Sequence, residues 1–376
     1  MSKNIFNINS DVRAQAKTAR RVAETCEISE LTKANLQAAA STLDAFARSC
    51  ERRALASTSN ILDLSADASI TEIRNARCRR SVRRGKDVFL PSWREFSFGL
   101  PNALIRSALF SVAPVSEQDK NITLLNVPIA VQGDTVLKLT GNRLHDYDRQ
   151  VFAAALSYYA EDRPLSDGDA SAWVRVSFWQ FAQALRVTYG RSVHIAIRNS
   201  LVRLNAAHLR IRVNRREVPM PHLIEVAFED GSVDKTSTEA HIKCSDLIAF
   251  RVPEGMAELF GPSSWTAVPA AALTEYSGLT RWLASFYSTH AGPYSLKISD
   301  LYCYSGAECG LIEFRRRLKK ALLQLQELKV PSEIRVIDGS IDKKKDEVTV
   351  YLARWNELKT GSKTRPSADL AVRYPT

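Results

Sequence analysis

Close-spaced metal-ligand pairs are absent from this sequence. Its six cysteines, Cys26, Cys50, Cys78, Cys244, Cys303 and Cys309, form no C-x-x-C pair, and its six histidines are scattered. A tetrahedral metal site needs ligands that converge, usually from such pairs. Neither a metal site nor a disulfide framework is therefore read, no cofactor is expected, and reduced thiols in a cytosol are the expected state. No apolar run approaches the roughly 18 residues a membrane span needs. The opening MSKNIFNINSD has no apolar segment of signal-peptide type. Catalytic signatures are missing too: there is no G-x-x-x-x-G-K-[ST], no G-x-G-x-x-G after a strand and no G-x-S-x-G. The adjacent acids Asp146 and Asp148 read as N-terminal capping of a helix, where the dipole favours them. The expectation is a protein that is not an enzyme.

What is present is positive charge on an ordinary globular background. Hydrophobic residues make up 45% and charged residues 25% of the 376, so real cores can be buried. Lys and Arg outnumber Asp and Glu by 52 to 41, a formal charge of +11. Such an excess favours a polyanionic partner, because each phosphate contact releases condensed counterions.

Residues 1 to about 57 read as helical, with small apolar side chains, and the Ser/Thr/Asn/Asp-rich stretch from Ala56 to Ala68 reads as a linker. From Arg74 to Lys86 there are seven basic residues and no acid, which fits either a solvated linker or a flexible arm that grips phosphates. Compact structure is expected from near Pro91. NITLLNVPIAV and DTVLKLTG alternate like strands, and DYDRQVFAAALSYYAE follows as a helix. A short strand, AWVRVS, precedes a helix opened by a Ser177/Gln180 capping box. A Tyr189-Gly190 turn then leads to the helix RSVHIAIRNSLVRLNA, and the strands HLRIRV and HLIEVAFED follow, with a basic tip between them. Helix, short strand, helix, turn, helix, hairpin is the winged-helix order. The second half repeats it: SGLTRWLASFYSTH, the strand in AGPYSLKIS, the short helix ISDLYCYSG, the long helix AECGLIEFRRRLKKALLQLQEL, then SEIRVID and EVTVYLARW around IDKKKD. The fold class is read as α+β: tandem winged-helix (helix-turn-helix) domains with a helical, partly disordered N-terminal region. The divisions are an N-terminal arm at 1–88, a first winged helix at 89–232, a second at 241–356 and a tail at 357–376, with VDKTSTEA (233–240) as the boundary tract.

The helix from Arg191 is the most informative segment. Val193, Ile197, Leu201 and Leu204 form one stripe, whereas Arg191, Ser192, Ile195, Arg198, Asn199 and Arg203 fall elsewhere. Seven arginines and no acid lie between Arg191 and Arg216. Like charges destabilise a helix face unless phosphates answer them, and Arg and Asn suit guanine and adenine edges. Ile195 could meet a thymine methyl. Arg212, Arg215 and Arg216 occupy the tip expected to be a wing, where arginine suits a narrow minor groove. The helix from Glu308 repeats the design, with Leu311, Phe314, Leu318, Leu322 and Leu325 inward and Arg315, Arg316, Lys319 and Lys320 among the outward cations. Lys343 and Lys344, with Lys345, stand at its wing position. Double-stranded DNA is the expected partner. A winged-helix transcriptional repressor is the competing reading; a repressor usually gains a second reader by dimerising on a palindrome, whereas two readers in one chain suit direct repeats. A relaxase or nuclease would need a metal cluster or an activated tyrosine, and neither is read.

Four stretches carry a family resemblance: LPNALIRSALFS at 100–111, LTGNRLHDYDRQVFAAALSYYA at 139–160, TYGRSVHIAIRNSLVRL at 188–204 and LTRWLASFYSTHAGPYSLKISDLYCYSG at 279–306. Over roughly residues 90–350 the sequence resembles the TrfA-type replication initiators of broad-host-range plasmids. The resemblance implies a tandem winged-helix initiator in the bacterial cytoplasm. It would bind direct repeats (iterons) of a plasmid origin as a monomer, be stored as a homodimer, help open an AT-rich element, and recruit the host replicative helicase and the host initiator protein. It carries DNA contact to Arg191, His194, Arg198 and Arg203, and to Arg315, Arg316, Lys319 and Lys320. The family's sliding-clamp element, Q-L-x-L-F, has no counterpart: the corresponding stretch reads RRGKDVFLPSW, so no clamp contact is carried over.

Overall fold

The computed structural model describes residues 15–19, 32–43, 64, 68–84, 88–93, 96–114, 123–165, 172–213, 216–220, 222–229, 242–327 and 335–354. Residues 15–19 and 32–43 are helical. The rest of the expected N-terminal helices, most of the expected linker, the 233–240 tract and the expected tail at 357–376 lie outside these residues.

The described body begins with helix α1 (Ile70–Arg84) and strand β1 (Ser97–Pro101). Strands β2 (Thr123–Ile129) and β3 (Val136–Asn142) follow. Then come helix α2 (Asp146–Asp162), strand β4 (Val174–Ser177), and helices α3 (Phe178–Ala184) and α4 (Arg191–Ala206). Four strands succeed them: β5 (His208–Val213), β6 (Arg216–Met220), β7 (Glu225–Glu229) and β8 (Leu247–Arg251). Strand β9 (Trp265–Pro269) pairs back onto β1. Then come helix α5 (Gly278–Ser288), strand β10 (Leu296–Lys297), helices α6 (Ile298–Ser305) and α7 (Leu311–Glu327), and strands β11 (Arg335–Asp342) and β12 (Glu347–Arg354), with a few helices and strands of two to five residues between the main elements. The fold is mixed: helices with small, separate sheets.

Two units share one plan. In the first, α2, β4, α3 and α4 lead to a three-stranded sheet of order β4-β8-β7; in the second, α5, β10, α6 and α7 lead to one of order β10-β12-β11. In each, the short strand ahead of the second helix pairs with the last strand of the unit. Buried Ile248 stands between Val176 and Phe228, as buried Val348 stands between Leu296 and Ile341.

Local chemistry sets these boundaries. Asp148 accepts the His145 backbone N–H at 2.8 Å and closes the start of α2. Pro164 follows its end, where a proline disfavours helical backbone in the preceding residue. Ser177 and Gln180 cap α3 reciprocally, as their spacing indicates. Gly306 ends α6 at φ +65°, and a Cβ there would meet Ser111 at 3.2 Å, so the left-handed turn and the close approach both call for glycine. A continuous core runs from Leu100 and Phe152 through Phe178, Leu201 and Phe250 to Trp282, Phe286, Phe314 and Val350. Burying each large side chain of this kind contributes about 1.5–3 kcal/mol.

Three expectations are corrected. The basic run 74–86 is not an arm along the part described: residues 74–84 belong to α1, with Ile73, Ala76, Arg77, Cys78 and Ser81 buried. Arg74 donates to Ala160 O at 3.0 Å, and Arg77 lies 5.0 Å over the Phe89 ring. The expected hairpin of HLRIRV with HLIEVAFED does not form; β5 pairs with β6 and with β3 in a four-stranded sheet of order β2-β3-β5-β6. Strand β7 instead pairs with β8, on the far side of the 233–240 tract expected to be a boundary. Phe89 and Leu90 of the stretch RRGKDVFLPSW are buried.

Candidate nucleic-acid interface

Helix α4 buries Ile197, Leu201 and Leu204, together with His194 and Ser200. On its open side Arg191, Ser192, Ile195 and Asn199 are exposed, Ile195 by 40%. They follow the Gly190 turn at the N-terminal half of the helix, the end that meets base edges when such a helix enters a major groove.

Two residues expected on this face belong to the fold. His194 is 1% exposed, its ring stacks on Phe178 with centroids 3.6 Å apart, and its Nδ1 lies 3.0 Å from the Tyr189 hydroxyl. It packs α4 against α3 and cannot reach a nucleic acid. Arg203 turns back onto Asp148 of α2, with Nη2 2.6 Å from Oδ1 and Nε 3.2 Å from both oxygens. Asp148, wholly buried, also accepts from Ser200 Oγ at 2.6 Å. A buried carboxylate needs such partners to remain ionised at low cost, so Arg203 is occupied in neutralising it. Arg198 is half-buried, its guanidinium 4.1 Å from the centroid of Phe228 on β7, with part of it open to solvent.

The expected wing arginines stand apart from this helix's sheet. Arg212 is exposed on β5, opposite Glu217 and Val136. Arg216 begins β6 opposite Val213, and Arg215 lies outside the described residues. The hairpin of β5 and β6 extends the four-stranded sheet.

The second unit holds its cations together. In α7, Phe314, Leu318, Leu322 and Leu325 are buried, while Arg316, Arg317, Lys319 and Lys320 are exposed. Lys343, Lys344 and Lys345 form the exposed turn between β11 and β12. An open groove of about 890 Å³ lies between α7 and this hairpin, lined by Arg315, Arg316, Lys319, Lys343 and Asp346 among others. Arg315 bonds Asp346 with Nε–Oδ1 at 3.0 Å and Nη2–Oδ2 at 2.7 Å. Asp346 O also accepts from Ile298 N at 3.0 Å, so one residue ties α6, α7 and the hairpin turn together. Glu313 takes Arg316 and Arg317, whose hydrogen bonds hold its carboxyl down at about 2. Lys319, Lys320, Lys343 and Lys344 make no ion pair among the described residues. Sequence reasoning found these cations and did not see that Arg315, Arg316 and Arg317 are already paired. Glu313 and Asp346 were visible, but no spacing rule joins 315 to 346.

Among the described residues no three His, Cys, Asp or Glu side chains converge as a metal site, and no helix is long and apolar enough to cross a membrane.

No family model matches this chain, and no curated protein matches it. Among solved structures, the chain is similar to the selenomethionine derivatives of domains 2 and 3 of RctB, with a TM-score of 0.46 at 12% identity, over 67% of this chain and 98% of that one. A second structure of RctB domains 2–3 gives a TM-score of 0.45 at 11% identity, over 69% and 99%.

Proposed function

We propose that this chain is a sequence-reading duplex-DNA-binding protein of the replication-initiator type, built on two winged helices. The observation that carries the reading is the repeated plan: two helix–strand–helix–helix units with the same sheet order, each presenting an exposed polar and basic helix face. In this reading α4 and α7 are the recognition helices, and the wings are β7–β8 and β11–β12. Arg191, Ser192, Ile195 and Asn199 face base edges, with Arg198 at their margin. Lys319, Lys320, Lys343 and Lys344 meet phosphates. The junction between the units is well bonded: Asp146 holds Arg281 at 2.6 Å, Arg106 Nε donates to Thr289 Oγ1 at 2.7 Å, and Ser111 Oγ donates to Gly306 O at 2.6 Å. Two readers fixed in one chain suit directly repeated half-sites better than the palindrome of a dimeric repressor. With the TrfA-type resemblance, the proposed target is the directly repeated DNA of a plasmid origin. Opening of an AT-rich element, recruitment of the host helicase and host initiator, and storage as a dimer belong to the same proposal.

The test is selection from a pool of duplexes with randomised centres, followed by anisotropy titration of the selected duplex over a salt series. Directly repeated preferred segments, and log K falling steeply with log salt, are expected. A flat salt dependence would remove the DNA reading; an inverted repeat would turn it to the repressor.

A further inference from the structure

Glu313 is the one acid between Cys309 and Gln326, a stretch that holds Arg315, Arg316, Arg317, Lys319 and Lys320. Its place in the first turn of α7 suits the helix dipole, but its bonds go further than that. Arg316 Nε and Nη2 donate to separate Glu313 oxygens, both at 2.7 Å, and Arg317 Nε adds a third bond at 2.7 Å. Arg316 is 74% exposed and yet held along one edge of its guanidinium. An edge gripped through Nε and Nη2 leaves the Nη1–Nη2 edge to point beyond the carboxylate. That edge carries two parallel donors, the pattern that meets guanine O6 and N7. One turn earlier, Ile312 is 82% exposed, an apolar side chain held out to water beside Arg316. Both sit in the N-terminal half of the helix, where base edges are met.

We propose that Glu313 is a positioning residue that fixes Arg316 as the bidentate reader of one guanine in the duplex, and so sets the sequence preference of the second unit. This rests on the duplex-reading function proposed above. The plainer account makes Glu313 one end of ordinary solvated helix pairs at i,i+3 and i,i+4. The two accounts differ in sign. Removing the carboxylate takes a negative charge off a phosphate-facing surface, which strengthens attachment to any duplex. Only a positioning role also makes the preferred duplex bind less well.

The experiment uses the full chain and two probes: the duplex selected by the unaltered protein from a randomised pool, and a scrambled duplex of the same composition. Glu313→Ala is expected to weaken the selected duplex about tenfold, the discrimination of one lost bidentate contact, while the scrambled duplex binds equally or more tightly. Reselection with Glu313→Ala and with Arg316→Ala should lose preference at the same guanine, with the double variant losing no more. Glu313→Gln, which keeps one acceptor, should fall between. Circular dichroism should show the helix intact in each. If Glu313→Ala selects the unaltered sequence, or shifts both duplexes by one common factor, the positioning role is overturned. If the unaltered chain binds neither duplex, the DNA reading itself fails before any variant is made, and this inference fails with it.

Discussion

Asp146, the first residue of α2, accepts from Arg281 Nη1 of α5 at 2.6 Å, across 135 residues of sequence. It also takes Arg149, which is 1% exposed, and the Gly278 backbone N–H at 2.9 Å. One carboxylate thus neutralises two buried arginines where the units meet. Burial pushes both guanidinium pKa values down and Asp146 opposes that shift. Asp146→Ala leaves both cations unanswered and is expected to cost about 3–5 kcal/mol, as loss of one partner from a buried pair does. Arg281→Met keeps the Asp146–Arg149 pair and should cost less. Urea unfolding of the two variants gives the comparison; equal losses would mean that Asp146 acts through Arg281 alone and that its pair with Arg149 adds nothing.

Arg203 and Arg191 lie on one helix and should separate folding from binding. Arg203→Ala strands part of the Asp148 carboxylate, which keeps Ser200 and the His145 N–H as partners among the described residues, and should lower stability by about 3 kcal/mol. Arg191→Ala touches an exposed side chain, so stability should stay within about 0.5 kcal/mol. Duplex affinity should fall by about 1–3 kcal/mol if the residue reads a base. Thermal melts and anisotropy on the same samples check both. A destabilised Arg191→Ala, or a fully stable Arg203→Ala, would reverse these assignments.

His290 reaches across to the first half through Gln132 Oε1, 3.0 Å from its Nε2, while its Nδ1 lies 2.9 Å from Phe286 O in its own half. Burial, with Arg106 nearby, holds its pKa below the usual value of 6.5, against the pull of the Phe286 carbonyl. Above about pH 6.5 the ring is neutral in both folded and unfolded chains, and no stability is lost through it. Below that, the unfolded chain takes up the proton first, so stability falls with pH until the folded pKa is reached. Denaturation midpoints from pH 7.5 to 5 should therefore slope more steeply for the unaltered chain than for His290→Gln. Parallel slopes would show that the ring titrates alike in both states.

Much of this was legible from periodicity. The inward stripes of α4 and α7, the Ser177 cap and the Gly306 stop follow from rules that act within one or two turns. What escaped depends on distant partners. His194 is polar in sequence, yet Phe178 gives it a flat apolar wall, and Arg203 gives no sign that its carboxylate lies 55 residues earlier. Strand β5 looked like half of a hairpin with residues 222–230, but β6 offered a nearer return and β3, far upstream, took its other edge. Helix α1 was hidden by its own composition. Its inward line Ile73–Arg77–Ser81 holds a single large apolar side chain, because Arg77 buries its stem and sets its charge over Phe89.

The packing of α1 predicts how the chain tolerates shortening. Ile73 is fully buried, Cys78 is 6% exposed, and Ser81 Oγ accepts the Phe89 N–H at 3.1 Å. Burial pushes the Cys78 thiol up to about 11, which keeps it protonated and unreactive at neutral pH. A chain starting at residue 68 retains all of these contacts and should melt within a few degrees of the full protein. A chain starting at residue 89 loses α1 and uncovers Phe89, whose ring also lies under Arg163 at 3.6 Å. Losing the burial of Ile73 alone removes about 1.5–3 kcal/mol. The shorter chain should therefore unfold at clearly lower urea and label at Phe89-adjacent amides in hydrogen exchange. If both chains melted alike, α1 would be an appendage resting on the surface, and the basic run would return to the role of an arm.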